Sequence, residues 1–526
     1  MPGESPAAMR QESKPYGIYL GWLIAVSTVI RCFMAGSVEL GNDEVYYFTY
    51  AVQPDWNHFD HPPLVGLFIR LFTLNLHWVN DLSVRLPAIS GAALGTWLIA
   101  RCGQLLRNER TGLLAAILYT SSLYTSIISG LFILPDSVQL VFWLAALCSM
   151  LKLLDSIRPE EENRYLLLFG LFVGLATMCK VHGGFLWLGF VGYTTSYNRK
   201  HFKNPYLYLS LGLTLLIISP ILFWNINNQF VSWQFHSERV EAKNSLDLRS
   251  FLIATLGQIA YNNPVNVILF VMALTATSEG TWTYKIPPFR MLLWCSLPII
   301  VATTLVSLLR PTLPHWSGPG FLGLMLITAV FIEHRLGSEP NQRFSRLLEA
   351  SVTIIATVIL SGVGVINHYP GTLGNQNETK MGSGDFTLDM YGWKALRPEF
   401  EKIRDEDIRT SRVSANAPLL IYNWFPGGHL YYYIAYPLGM RLLGVGPVNA
   451  LHKFWWLNIM NGSLDAGDDA YFITPSNYLT DPTKLHDLNF GEIEKPIRLT
   501  QKRNGRVTRY WYIYRLRKAR IAVDGR

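Results

Sequence analysis

Charged residues are scarce in this 526-residue chain, at 16% against 50% hydrophobic, and the mean hydropathy is +0.20. A soluble globular protein with that balance would expose too much apolar surface. Cysteine is scarce too. The five present, Cys32, Cys102, Cys148, Cys179 and Cys295, lie in or beside apolar stretches without CxxC spacing. Disulfides and thiolate metal sites are therefore not expected, and the thiols read as small buried hydrophobes. No Walker or Rossmann glycine loop occurs, which argues against a nucleotide-binding domain and a nucleotide-borne substrate. Internal repeats and low-complexity tracts are also missing. The net charge of +8 does not point to nucleic acid, because the basic residues are dispersed along loops. Topology signals and contacts to anionic lipid account for most of them.

What the chain does have is apolar residues in blocks of about 20, the length that crosses roughly 30 Å of hydrocarbon. They fall at 17–36, 82–106, 111–132, 137–154, 165–180, 183–198, 206–225, 251–275, 291–309, 317–333 and 347–366. This predicts a polytopic α-helical membrane protein with about 11 transmembrane helices, not the short alternating strands of a closed barrel. The first block shows no cleavage site and reads as a retained helix. Much of the Lys and Arg lies at 101–110, 152–164, 199–203, 283–290 and 333–346. Those turns are assigned to the cytoplasm, which puts the N-terminus inside and the C-terminus outside. Composition changes after residue 366. The expected organisation is a transmembrane domain over 1–366 with a first outer loop at 37–81, a Gly/Asn/Thr-rich linker over 367–384, and an extracytoplasmic α/β domain over 385–526. Within that domain 418–422, 469–474 and 511–514 read as strands, and 429–436 as a helix.

On this topology the outer loops collect acids, histidines, tryptophans and isolated cations. The first carries Asn42-Asp43-Glu44-Val45-Tyr46-Tyr47 and then Phe59-Asp60-His61-Pro62-Pro63. Carboxylates at the mouth of a membrane helix are costly and functional candidates by default. Neighbours in sequence do not share a helix face, so one of Asp43 and Glu44 is expected to face a cavity while the other fixes a loop. An ionised Asp in a cleft serves as general base. The available phosphate partners are His61, Arg85, Lys180, Arg239, Arg310 and His315, since a leaving phosphate needs donors and positive charge. Simpler readings compete: Arg85 as a snorkelling cation, Asp136 as a helix N-cap. The outer histidines His58, His61, His182, His236 and His315 raise a divalent metal as a possible cofactor, but no HxxxH or HExxH pair supports one.

Taken with Arg85-Leu86-Pro87, Pro135-Asp136, Lys180, Trp224-Asn225, 233–239 and Pro314-His315-Trp316, these motifs resemble the membrane glycosyltransferases of GT-C fold that use polyprenyl-phosphate sugars. The likeness is to the bacterial branch related to protein mannosyltransferases and the lipid A aminoarabinose transferase. It covers about 40 to 320 in the expected order, and lipid-A-directed galacturonosyltransferases look similar through the Asp-His-Pro-Pro and Trp-Asn segments. The resemblance implies two amphipathic helices in the first outer loop and a C-terminal domain over the cavity. It implies Asp43 as catalytic acid/base, with Glu44 and Asp136 as the other catalytic candidates. His61, Arg85 and Lys180 would face the donor phosphate, and Tyr46, Tyr47, Asn225, Arg239 and His315 would complete the substrate site. One departure stands out: the aminoarabinose transferases have a Lys before the Pro-Pro pair, and here it is His61, which points to a different donor sugar or charge. The C-terminal domain carries no motif to transfer.

The reading is therefore an inverting glycosyltransferase of the cytoplasmic (inner) membrane, working on its outer face. Its partners would be a polyprenyl-phosphate-linked sugar donor, a lipid A, glycan or protein acceptor, and the bilayer. The alternatives are a flippase for a lipid-linked sugar and a non-catalytic envelope scaffold. Against the first stands the absence from this sequence of any inverted repeat or paired interrupted helices.

Overall fold

The computed structural model describes residues 15–240, 246–276, 287–338 and 342–520. Its helices run α1 (Tyr16–Ser37), α2 (Asn42–Val52), α3 (Leu64–Phe72), α4 (Asp81–Leu106), α5 (Glu109–Ser121), α6 (Pro135–Asp155), α7 (Pro159–Cys179), α8 (Phe185–Tyr197), α9 (Pro205–Asn227), α10 (Val231–Val240), α11 (Leu248–Tyr261), α12 (Pro264–Ala276), α13 (Pro287–Val306), α14 (Phe321–Ser338) and α15 (Gln342–His368). Their starts are written locally. The Asn80 and Asn108 side chains accept from the backbone N–H groups of Ser83 and Thr111, and proline opens α6, α7 and α9, where its missing N–H costs nothing.

Each of the eleven apolar blocks contains a helix, but they are not equivalent. Among the described residues seven helices are long and apolar enough to cross a membrane, or eight if α11 and α12 form one span. That pair, expected as one helix over 251–275, bends by 94°. The reason is local: Asn263 has φ 67° and precedes Pro264, which cannot continue the preceding helix. The Asn263 amide then donates to the carbonyls of Ser121 and Ser351, which locks the break. Of the rest, α5 and α8 have 13 residues each, and α7 has three glutamates in its first turn. Small residues bring the bundle together. A Cβ on Gly103 of α4 would lie 2.9 Å from Gly112 Cα of α5, so only glycine permits this approach.

The C-terminal part adds α16 (Trp393–Arg409), α17 (Trp424–Leu430), α18 (Val448–Leu451) and α19 (Phe454–Asn461). Its strands are β1 (Leu419–Ile421), β2 (Leu442–Gly444), β3 (Ala470–Pro475), β4 (Phe490–Ile493), β5 (Ile497–Arg503) and β6 (Arg506–Ala519). The sheet order is β2-β1-β3-β6-β4, with β5 also on β6. β1 is parallel to β2 and β3, while β6 is antiparallel to β3, β4 and β5. The β5–β6 hairpin turns at Asn504-Gly505, both with positive φ (48° and 80°), the Asn-Gly signature of a two-residue turn.

This sheet domain is not a free appendage. One apolar core contains Val45 and Phe48 of α2, Val84 of α4, Trp393 of α16, Ile421 of β1 and Trp511 of β6. Glu39 accepts from the backbone N–H groups of Trp393 (2.7 Å) and Lys394 (3.0 Å), so a residue following α1 caps α16. Lys394 pairs with Asp81 at 2.7 Å. Helix α2 and the turn after it are thereby clamped between the apolar bundle and the sheet domain.

Candidate active site

Helix α2 begins where Glu44 accepts from the Gly41 N–H at 2.8 Å. From there helical spacing puts Asp43, Tyr46, Tyr47 and Tyr50 on one face and Glu44, Val45 and Phe48 on the other. Pro62-Pro63 ends the following turn and opens α3, whose Gly66 lies directly on α2. A Cβ there would sit 2.4 Å from Tyr50 Cβ. This close contact holds Asp60 and His61 beside the face that carries Asp43.

A cavity of about 460 Å³ opens at this point. α2 supplies Asp43, Tyr46 and Tyr47, and the turn before α3 supplies Asp60 and His61. Asp136 comes from the start of α6, Lys180 and His182 from the α7–α8 junction, His236 from α10, and His315 from the turn before α14. The sheet domain closes it with Trp424 and His452.

Asp43 is exposed, and the space it faces is this cavity. The carboxyl is otherwise ringed by protein, so burial, reinforced by the nearby charges of Asp60 and Glu44, pushes its pKa up to about 6. Asp60 behaves oppositely. Burial opposes its ionisation, but His452, His61 and the Tyr50 hydroxyl together hold it below the usual carboxylate range. Its Oδ1 accepts from Tyr46 Oη at 2.8 Å and from Tyr50 Oη. Burial pushes His61 down to about 3, so at neutral pH it is an uncharged hydrogen-bonding group. Among the described residues the cation lining the cavity is Lys180, whose Nζ lies 2.8 Å from Asp136 Oδ2 while Tyr124 donates to Oδ1 at 2.9 Å. An ammonium has three N–H donors, so this pairing leaves donors for a bound anion.

Of the residues expected from sequence, Asp43, Tyr46, Tyr47, His61, Asp136, Lys180 and His315 line this one cavity. Glu44 and Arg85 do not. Arg85 is fully buried, giving Nε to Glu44 Oε1 (2.8 Å) and Nη2 to Oε2 (2.6 Å). Its remaining donors go to the carbonyls of Ala35, Val38 and Glu39. The expectation that Arg85 faces a phosphate is thus corrected: its donors are consumed in locking α1, α2 and α4 together. Asn225 is also outside the cavity, buried with its amide donating to the Ile221 carbonyl at 2.9 Å. The Arg239 side chain lies outside the described residues. Sequence reasoning passed over Asp60 as a site residue, although it stood inside the quoted motif, and it gave no role to Trp424 or His452. No spacing signal links those two to α2, since they arrive through the fold.

A larger cleft, about 750 Å³, runs between the end of α1, α16 and β5. Of its two acids among the described residues, the half-buried Glu39 is occupied in capping α16 and the exposed Glu399 pairs with Lys402. Among the described residues no three His, Cys, Asp or Glu side chains are grouped to hold a metal ion.

Residues 60–224 match the family described as dolichyl-phosphate-mannose-protein mannosyltransferase. The fold matches the crystal structure of ArnT from Cupriavidus metallidurans in the apo state with a TM-score of 0.62 at 14% identity, covering 95% of this chain and 98% of that one. The same protein bound to undecaprenyl phosphate matches with a TM-score of 0.61 at 14% identity, covering 94% and 98%. At such identity the likeness is one of fold. No curated protein matches the chain by sequence.

Proposed function

We propose, from a GT-C fold shared with ArnT over nearly the whole chain and a mannosyltransferase-family segment at 60–224, that this protein is a membrane glycosyltransferase. It moves a sugar from a polyprenyl-phosphate donor to an envelope acceptor, a lipid A or other glycolipid, a glycan or a protein. The observation that carries the reading is Asp43: an accessible carboxyl with a pKa raised to about 6, in the same cavity as Lys180.

The donor tail lies in the bilayer and its phosphate enters the cavity beside Lys180, with the neutral imidazoles of His61 and His315 as hydrogen-bonding partners. Asp43 accepts the proton of the acceptor hydroxyl or amine as that nucleophile attacks the anomeric carbon. The anomeric C–O bond breaks, its electron pair goes to the phosphate oxygen, and polyprenyl phosphate departs. Attack from the face opposite the phosphate inverts the anomeric centre. Positive charge and N–H donors that strengthen toward the departing phosphate lower the barrier. Asp136 positions Lys180, and Glu44 with Arg85 holds α2 in place.

Orientation follows the same reading. The Lys/Arg-rich turns at 101–110, 152–164 and 199–203 join the helix ends farthest in sequence from the site. Assigning them to the cytoplasm puts the cavity and the 385–526 domain outside, on a multi-pass protein of the cytoplasmic membrane.

The test is transfer of labelled sugar from purified polyprenyl-phosphate donors to envelope lipid or protein, with wild type against Asp43→Asn. Product with wild type and none with the folded variant supports the enzyme. Equal passage of label across the bilayer by both, without product, replaces it with a transporter.

A further inference from the structure

The sheet domain puts one imidazole into the cavity at a conformational cost. His452 follows α18 with φ 51° and ψ −129°, a region that side-chain-bearing residues avoid and that persists where the surroundings enforce it. The enforcement is visible. The next backbone N–H, of Lys453, donates to Tyr46 Oη at 3.2 Å, and Tyr46 in turn donates to Asp60. The ring of His452 is caged by Phe59 (5.0 Å between centroids), Phe235 (5.2 Å), Trp424 (5.6 Å) and Tyr46 (6.0 Å). It is 6% exposed and lines the cavity.

Its chemistry is defined by Asp60. His452 Nδ1 lies 3.5 Å from Asp60 Oδ2, and this buried nitrogen has no aligned hydrogen bond. Asp60 has its other oxygen committed to two tyrosines. A carboxylate facing Nδ1 favours the proton there and leaves Nε2 as an acceptor. Hydrogen bonds of this kind are commonly long before the ligand arrives and tighten around it. An acceptor nitrogen beside the indole of Trp424 suits a sugar ring, which offers a C–H face and hydroxyl donors. The phosphate, by contrast, needs the cation at the α7–α8 junction, Lys180.

We infer that His452 and Trp424 form the sugar-reading wall of the cavity: Trp424 takes the C–H face and His452 Nε2 accepts one ring hydroxyl. Asp60 positions the imidazole. The inference rests on the glycosyltransferase reading above and deepens it, since it makes the C-terminal domain part of donor specificity.

The experiment uses the full chain in nanodiscs with two kinds of probe, bare undecaprenyl phosphate and a panel of polyprenyl-phosphate donors carrying neutral, amino or acidic sugars, from which the donor that wild type uses is taken. In His452→Ala and in His452→Gly, KM for the sugar-bearing donor should rise about 3- to 10-fold, the worth of one hydrogen bond. Affinity for bare undecaprenyl phosphate should stay within about twofold, because no hydroxyl is read there. The glycine variant relieves the backbone, so poor folding of the alanine variant does not decide the outcome. Asp60→Asn should reproduce the KM shift. An unchanged KM, or equal weakening of both probes, overturns the inference while transfer by wild type leaves the glycosyltransferase reading standing. No transfer by wild type from any donor of that panel, matching Asp43→Asn, overturns that reading and the inference with it.

Discussion

The two faces of α2 carry adjacent carboxylates that do opposite work. On one, Asp43 has no hydrogen bond or ion pair among the described residues and looks into the cavity with Tyr46 and Tyr47. On the other, Glu44 is 2% exposed and spends both oxygens on Arg85, the Gly41 N–H and the Ile133 N–H. One residue of helical rotation separates a carboxyl left open to the cavity from one fully engaged by its neighbours. A carboxylate with all its lone pairs engaged holds structure. One left unpaired among other acids has a raised pKa and a proton to exchange.

The contrast is tested most severely by Asp43→Asn. Loss of a general base lowers transfer by about 10² to 10⁴-fold, with the folded yield intact because the side chain is exposed. A labelled-transfer assay beside a thermal melt checks both halves, and retained activity would end the assignment. The other face predicts the reverse pattern. Arg85→Met strands Glu44 and lowers stability by about 3 to 5 kcal/mol, read as a collapse of the folded fraction in detergent. Adding Glu44→Gln should recover part of that loss, because it removes the stranded charge and keeps an acceptor for the Gly41 and Ile133 N–H groups. If Arg85→Met stays fully folded, the structural role given to this face is wrong.

A smaller effect comes from pH. Asp43 must be ionised to accept a proton, so kcat/KM should rise about tenfold per pH unit below about 6 and level off above it. The stability sign runs the other way. A carboxyl whose folded pKa is raised favours folding while protonated, and this contribution disappears as pH climbs through about 6. Asp43→Asn should therefore be at least as stable as wild type at pH 7, and a lower Tm would contradict the raised pKa. The mildest change is Glu39→Ala, which removes a cap from α16 and costs about 1 kcal/mol. It should appear in thermal melts and leave kcat unaltered.

Much of this was legible before the structure. Blocks of about 20 apolar residues admit few solutions in lipid, because every backbone group must be bonded within its own segment. Asp43, His61, Asp136 and Lys180 stood out because polar groups at helix mouths are expensive there. Other features stayed hidden for identifiable reasons. Arg85 reads the same in sequence whether it meets a phosphate or Glu44. The break at Asn263-Pro264 lay inside an unbroken hydropathy signal. His452 is separated from Asp60 by 392 positions, and no periodicity spans that distance.

By itself, then, the sequence determined that the chain is a helical membrane protein with a polar site at one end of its spans and a small α/β domain after them, since hydropathy and helical period are local properties. Only the tertiary structure decided which polar residues meet. It paired Arg85 with Glu44, left Asp43 open to the cavity, and brought Trp424 and His452 down from the sheet domain. Burial, pairing and pKa depend on neighbours in space, which distant segments of the chain supply only once it has folded.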